Sequence, residues 1–86
     1  MDMNEFVNNM ELLFPTATFS FRGKKLKVHA GSTIDDLPVF NVNKIGQDND
    51  IYDFGINKKF LTELEIRGYY AEISESGDLF CMPVKR

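Results

Sequence analysis

Residues 17–30 read ATFSFRGKKLKVHA, and this stretch decides the fold. Apolar and polar residues alternate on both sides of Gly23, which is typical of β-strands because successive side chains point to opposite faces of a sheet. Glycine as the first residue of a two-residue turn favours a type II′ hairpin centred on Gly23-Lys24 and pairs Phe21 with Leu26. A shifted register that pairs Phe19 with Leu26 keeps the same residues on the apolar face, so the face is better determined than the register.

The chain before this hairpin has the spacing of an amphipathic helix. Its apolar residues recur three and four positions apart, at Met3, Phe6, Val7, Met10, Leu13 and Phe14. Asp2 and Glu5 are placed as a capping box at its start, and Pro15 ends it.

A second helix and a second hairpin are predicted in residues 57–84. Asn57 is the predicted N-cap, and Ile56 and Leu61 occupy the positions of a hydrophobic staple. Gly68 stands where a helix commonly ends in a left-handed residue. Residues 69–74 and 79–84 then form the hairpin, around residues 75–78.

The connecting residues 31–56 carry weaker patterns. Ser32 or Thr33 could cap a short helical turn through Asp35 and Asp36, which Pro38 would end. Residues 39–42 suit a short strand, and residues 46–53 read as a polar loop.

These patterns predict one α+β domain over residues 1–86, with two helices packed on one face of an antiparallel sheet of about four strands. The predicted order is α-β-β, a short strand or loop, then α-β-β. Its parts are a first helix–hairpin unit (1–30), an acidic connecting segment (31–56) and a second helix–hairpin unit (57–86).

The two units could be an internal repeat. A gap-free alignment matches Phe6 with Phe60 and Gly23 with Gly77, and its inward-facing pairs include Leu26 with Phe80 and Val28 with Met82. The matches are few, so chance or shared helix–hairpin patterning explains them as well as duplication does.

The charge is unevenly distributed. The formal net charge is -3, but residues 1–31 carry four Lys or Arg against three Asp or Glu, whereas residues 32–57 carry Lys44 against five Asp. A basic excess is the usual mark of nucleic-acid binding, so the overall charge argues mildly against that function. The basic first hairpin and the acidic middle are the two surfaces that the charges single out.

The remaining composition predicts a cytoplasmic protein of a bacterial cell or a phage-infected host. Cys81 is the only cysteine, which excludes an internal disulfide and fits a reducing compartment. The first residues are acidic rather than a basic signal peptide, and no apolar stretch has membrane-spanning length. Frequent Asn, Lys, Ile and Phe with few Ala suggest an AT-rich genome.

No set of residues suits catalysis, so we expect a protein that is not an enzyme and needs no cofactor or metal. The single histidine, His29, has no second histidine for a relay, and Cys81 lies on a different predicted strand. Residues 48–53 resemble a calcium loop in their oxygen ligands, but Tyr52 and Asp53 break the EF-hand pattern.

The first functional hypothesis is therefore a small non-catalytic accessory or inhibitory protein, phage-encoded, that binds a protein partner. Its candidate binding residues lie in the acidic middle: Asp48, Asp50, Tyr52 and Asp53, with Tyr52 as an aromatic anchor. The alternative is a nucleic-acid-binding module that uses the first hairpin, with candidate residues Arg22, Lys24, Lys25, Lys27 and His29. Neither hypothesis involves a membrane, and the oligomeric state is left open.

Overall fold

The computed structural model describes residues 2–44 and 49–85. The elements of this part of the chain are, in order, α1 (Met3–Leu13), β1 (Phe19–Arg22), β2 (Lys25–Val28), β3 (Thr33–Ile34), β4 (Leu37–Pro38), a 3-10 helix (Val42–Lys44), β5 (Tyr52–Asp53), β6 (Ile56–Asn57), α2 (Lys58–Ile66), β7 (Tyr69–Ile73) and β8 (Leu79–Pro83). The α+β class with two helices and a four-stranded antiparallel sheet is confirmed.

The main sheet has the strand order β1-β2-β8-β7, with every neighbouring pair antiparallel. Phe21 pairs with Leu26 and Phe19 with Val28, so the first of the two predicted registers is correct. Gly23 has a φ of +65°, which a type II′ turn requires at its first central residue. Strand β8 joins the two hairpins because it pairs with both β2 and β7.

Both helices begin and end where the sequence predicts. A carboxylate oxygen of Asp2 accepts a hydrogen bond of 2.8 Å from the backbone N–H of Glu5, and the side chain of Asn57 accepts one of 2.9 Å from that of Lys59. These contacts satisfy N–H groups that have no partner within the first turn of a helix. Gly68 follows α2 with a φ of +75°, the left-handed conformation expected of a helix C-terminus.

The hydrophobic core lies between the two helices and one face of the main sheet. Its central members are Phe6, Val7 and Met10 from α1, Phe14 directly after α1, Phe60 and Leu64 from α2, and Leu26, Val28, Leu79 and Cys81 from the sheet. The ring of Phe6 stacks on Tyr69 with centroids 3.8 Å apart. The ring of Phe60 lies 6.4 Å from that of Phe14 and 6.4 Å from that of Phe19.

The connecting segment differs from its prediction. Asp35 and Asp36 have φ values of +52° and +66°, so they form a tight turn between β3 and β4 and not a helical turn. Two consecutive left-handed residues define a type I′ turn, and Asp tolerates that conformation better than most residues. Pro38 ends this small hairpin, as it can in an edge strand that needs no donor there.

The predicted short strand at residues 39–42 is also wrong. Phe40 forms only an isolated bridge with Ile56, and Val42 begins the 3-10 helix. The polar loop predicted at residues 46–53 lies partly outside the described residues, and its end is β5, which pairs with β6 around Phe54-Gly55. Two small hairpins therefore occupy about half of the described part of a segment predicted as one short strand or loop.

The gap-free alignment of the two units assigns the wrong face of the last strand to the core. Leu79 and Cys81 are fully buried on the core face, whereas Phe80 pairs with Lys27 and Glu72 on the opposite face. The predicted inward pair partners, Phe80 and Met82, therefore face outward. The cause is the second turn: it spans residues 74–78, whereas only Gly23-Lys24 separate β1 and β2, and an odd shift in register exchanges the two faces of a strand.

We predict that the stability of the protein decreases as the pH rises from 9 towards 12. Burial raises the pKa of the Cys81 thiol from 9.0 to about 12. Because the thiol ionises more easily in the unfolded chain, the stabilising effect is complete below the unfolded pKa and is lost as the pH approaches the folded value. Urea unfolding at increasing pH measures this loss.

Cys81→Ala is the control, because it removes the thiol and should make the pH dependence of the unfolding free energy shallower between those two values. The part that remains comes from Tyr52 and Tyr69, since burial also raises the pKa of these phenols. At pH 8 the native thiol should also be almost inert to a thiol-specific reagent, since only the thiolate reacts. Rapid modification of the native protein at that pH would contradict the buried position.

Neither helix within the described ranges is long and apolar enough to cross a bilayer.

Candidate functional site

The face of the main sheet opposite the core, here called the outer face, is crossed by two rows of side chains. The first outer row contains Arg22 of β1, Lys25 of β2, Met82 of β8 and Tyr70 of β7. The second outer row contains Ser20, Lys27, Phe80 and Glu72 from the same four strands. Because strand pairing fixes these neighbours, the outer face presents cations on β1 and β2 next to large apolar groups on β8 and β7.

The first outer row forms a shallow groove with a volume of about 440 Å³. Arg22 and Lys25 line it together with Lys24 from the turn and Lys85 after β8, so four cations surround one concave surface. Met82 and Tyr70 form the apolar part of its floor, and Tyr70 is 40% exposed. The groove therefore combines positive charge with an accessible aromatic ring.

Polar contacts differ between the two rows. Lys25 Nζ lies 4.6 Å from the centroid of the Phe80 ring, a cation–π contact that holds the ammonium over the outer face. Lys27 Nζ lies 3.6 Å from a carboxylate oxygen of Asp78, so its charge is partly balanced by the second hairpin. Arg22, Lys24 and Lys85 therefore line the groove of the first outer row, while Lys25 bridges the two rows because its ammonium lies over Phe80.

The structure brings three of the five predicted basic residues together. Arg22, Lys24 and Lys25 line the groove. Lys27 is in the second outer row, and His29 lies beyond it, where its Nε2 contacts the hydroxyl of Ser20. The first hairpin therefore contributes cations to the groove only from the residues at and beside its turn.

Sequence reasoning missed the other half of the groove, which consists of Tyr70, Met82 and Lys85. One pattern could have revealed it: β8 reads LFCMP and is apolar at both odd and even positions. A strand with one face in a core and the other in solvent normally alternates. The apolar residues of β8 at both parities therefore predict an apolar area on the outer face, formed by Phe80 and Met82.

The predicted protein-binding residues of the acidic middle do not form one exposed surface. Tyr52 is buried and its hydroxyl donates a hydrogen bond of 2.8 Å to the carbonyl oxygen of Pro38. Burial also raises the pKa of this phenol. Asp50 is exposed, Asp53 is half-buried in β5, and Asp48 lies outside the described residues. The exposed aromatic ring of this hairpin belongs to Phe54, which is 63% exposed.

The residues considered for catalysis lie on opposite sides of the sheet. Cys81 is buried on the core face, and His29 is exposed beside the outer rows. In the part of the chain that the structure describes, no three His, Cys, Asp or Glu side chains are grouped so that they could hold a metal ion. What the outer face offers chemically is charge and apolar surface.

No protein-family model matches the chain, and comparison with curated proteins and with solved structures gives no match. The function is therefore inferred from the geometry of the chain itself.

Proposed function

We propose that this protein binds single-stranded nucleic acid across the outer face of its main sheet. The observation that carries this proposal is the first outer row, in which Arg22 and Lys25 are followed across the sheet by Met82 and Tyr70. Proteins that bind single strands combine a positive groove along the backbone with aromatic rings on which bases stack. Both parts occur here within one groove.

The cations suit the phosphates of a short strand. Neighbouring strands of a sheet lie about 4.8 Å apart, so the four-strand row is about 14 Å long and fits only a few nucleotides. Arg22 can donate two parallel hydrogen bonds to one phosphate, while Lys24, Lys25 and Lys85 act as point charges along the path. So short a site favours modest affinity with a strong dependence on salt.

The apolar residues favour unpaired bases. A base can stack on Tyr70 and contact Met82 only when its faces are exposed, which excludes the interior of a duplex. Glu72 closes the tyrosine end of the second outer row and repels phosphates there. The strand is therefore expected to follow the first row.

Binding of a protein partner, the first hypothesis from the sequence, stays a prediction for the acidic middle. Tyr52 cannot serve as the exposed aromatic anchor of that hypothesis, because its side chain is buried and its hydroxyl bonds to Pro38. An accessory or inhibitory role and a phage origin also stay predictions.

Replacing Tyr70 by alanine tests the stacking part of the proposal. The expected result is a loss of about tenfold in affinity for a labelled single-stranded oligonucleotide, because stacking of one base contributes about 1–3 kcal/mol. Fluorescence anisotropy at low salt measures the affinity. Tyr70→Phe is the matched control, because it keeps the ring and should bind like the unchanged protein.

The same titrations should show that log affinity falls with log salt with a slope of roughly -2 to -3, as expected for three or four phosphate contacts on a single strand. A duplex of the same sequence should bind more weakly. The proposal would be wrong if no oligonucleotide bound at low salt, or if Tyr70→Ala bound as well as Tyr70→Phe.

A further inference from the structure

Strand β7 lies at one end of the strand order of the main sheet, where β8 is its partner among the described residues. The backbone N–H of Val84 donates to the carbonyl oxygen of Gly68 at 2.8 Å. The backbone N–H of Ser74 donates to the carbonyl oxygen of Asp78 at 2.8 Å. Hydrogen-bonded pairs alternate along an antiparallel ladder, so Tyr70 and Glu72 direct their backbone groups towards β8. The N–H and C=O groups of Ala71 and Ile73 therefore point away from the sheet.

A groove of about 460 Å³ runs beside this edge. One wall is β7 with Ala71 and Ile73, and the opposite wall contains Leu61 of α2 with Phe54 and Ile56 of the β5–β6 hairpin. Its two charged lining residues are the carboxylates Asp53 and Glu72, and no cation is among the described residues that line it. The groove thus joins the outward-pointing backbone groups of Ala71 and Ile73, apolar walls and the carboxylate of Glu72.

We propose that an extended, basic segment of a partner protein adds to β7 as a fifth antiparallel strand. Its alternate apolar side chains enter the groove beside Ala71 and Ile73, which face the core side of the sheet. Its intervening Lys or Arg side chains lie on the outer face next to Glu72. Backbone hydrogen bonds to an exposed edge supply affinity in this mode of recognition, and side-chain pockets supply specificity.

Charge favours a basic partner over a second copy of this chain. Antiparallel pairing of β7 with β7 of another copy would bring two Glu72 side chains close together on one face, which is destabilising. Pairing of β7 with β1, at the other end of the strand order, would be head-to-tail and would produce rings or open polymers instead of a two-fold dimer. The carboxylate of Glu72 also disfavours nucleic acid at this site, because it repels phosphates.

The test uses a labelled synthetic peptide of alternating valine and lysine, with a valine–glutamate peptide as the charge control. In an antiparallel ladder, directly opposed residues share a face, so the valines lie opposite Ala71 and Ile73 and their N–H groups bond to β7. Methylation of the backbone nitrogens of the valines should therefore abolish binding, as measured by fluorescence anisotropy. Methylation of the backbone nitrogens of the lysines should change the affinity by no more than about twofold, since those N–H groups face away from β7.

Two substitutions in the full chain complete the test. Ala71→Pro removes an outward N–H without loss of a sheet hydrogen bond and should weaken binding of the valine–lysine peptide at least about tenfold. Phe21→Pro is the matched control on the β1 edge, where the N–H also points outward, and should leave binding unchanged. Urea unfolding shows whether each variant is folded.

Glu72→Lys keeps the proposal testable if a proline variant does not fold. It should weaken binding of the valine–lysine peptide and strengthen binding of the valine–glutamate peptide. The proposal is overturned if the two peptides bind equally, if both methylated peptides bind like their parent, or if neither peptide binds. It is equally overturned if sedimentation shows that the chain polymerises through this edge and the peptides do not dissociate the polymer.

Discussion

Replacing Arg22 and Lys25 together by glutamate is expected to lower the affinity for a single-stranded oligonucleotide by about a hundredfold or more at low salt. A hydrogen bond to a charged group contributes about 1.5–3 kcal/mol, so losing two corresponds to at least two powers of ten. The two new carboxylates add repulsion in the same groove, where Lys24 and Lys85 are the cations that would remain among the described lining residues. Fluorescence anisotropy measures the change, and the salt dependence should become shallower by about two contacts.

The matched control is the pair Lys58→Glu and Lys59→Glu, which changes the net charge by the same amount. Both lysines lie on α2, whose buried residues pack on the core face, and both line cavities away from the outer face. This control should weaken binding only slightly. If the control lost as much affinity as the Arg22 and Lys25 variant, binding would depend on overall charge and not on the groove.

Replacing Phe60 by alanine is expected to destabilise the fold by about 3–5 kcal/mol. Its side chain is fully buried, and its ring lies between those of Phe14 and Phe19. Removing the ring leaves a cavity where α1, α2 and β1 meet. A small domain typically has a total stability of about 5–15 kcal/mol, so this single change removes a large share of it.

Urea unfolding followed by circular dichroism measures the difference in unfolding free energy. Phe21→Ala is the control, because it deletes the same ring at a position that is 49% exposed, and it should cost much less. Equal losses of stability in the two variants would contradict the position of the core.

The local parts of the fold could be predicted because short stretches of sequence determine them. The register of Phe21 with Leu26 follows from the type II′ turn at Gly23, and the start of α2 follows from Asn57 and its bond to the N–H of Lys59. Both features depend on residues within a few positions of one another.

The parts that the sequence did not predict depend on contacts between distant residues or on the length of a turn. The pair Asp35-Asp36 adopts a hairpin turn because β3 and β4 pair, although the same residues suit the first turn of a helix. The sequence around Tyr52 predicts a polar loop, but the side chain is buried and its hydroxyl bonds to Pro38, fourteen positions away.

The candidate site divides in the same way. The cations Arg22, Lys24 and Lys25 could be predicted because they lie within one hairpin. The positions of Tyr70 and Met82 in the groove could not be predicted. They lie beside the cations only because β2 pairs with β8, which joins residues about fifty positions apart. The inward assignment of Phe80 and Met82 followed from a repeat without gaps, and the longer second turn reversed it.

The central position of β8 has a consequence for how the chain reaches its native state. Strand β8 is made about fifty residues after β2, so during synthesis the first hairpin leaves the ribosome with one edge of its future sheet unpaired. Until Leu79–Pro83 arrives, α1 covers a two-stranded surface that is too small to be stable alone. Because β8 is apolar on both faces, the β7–β8 hairpin exposes apolar surface that can aggregate until it pairs with β2.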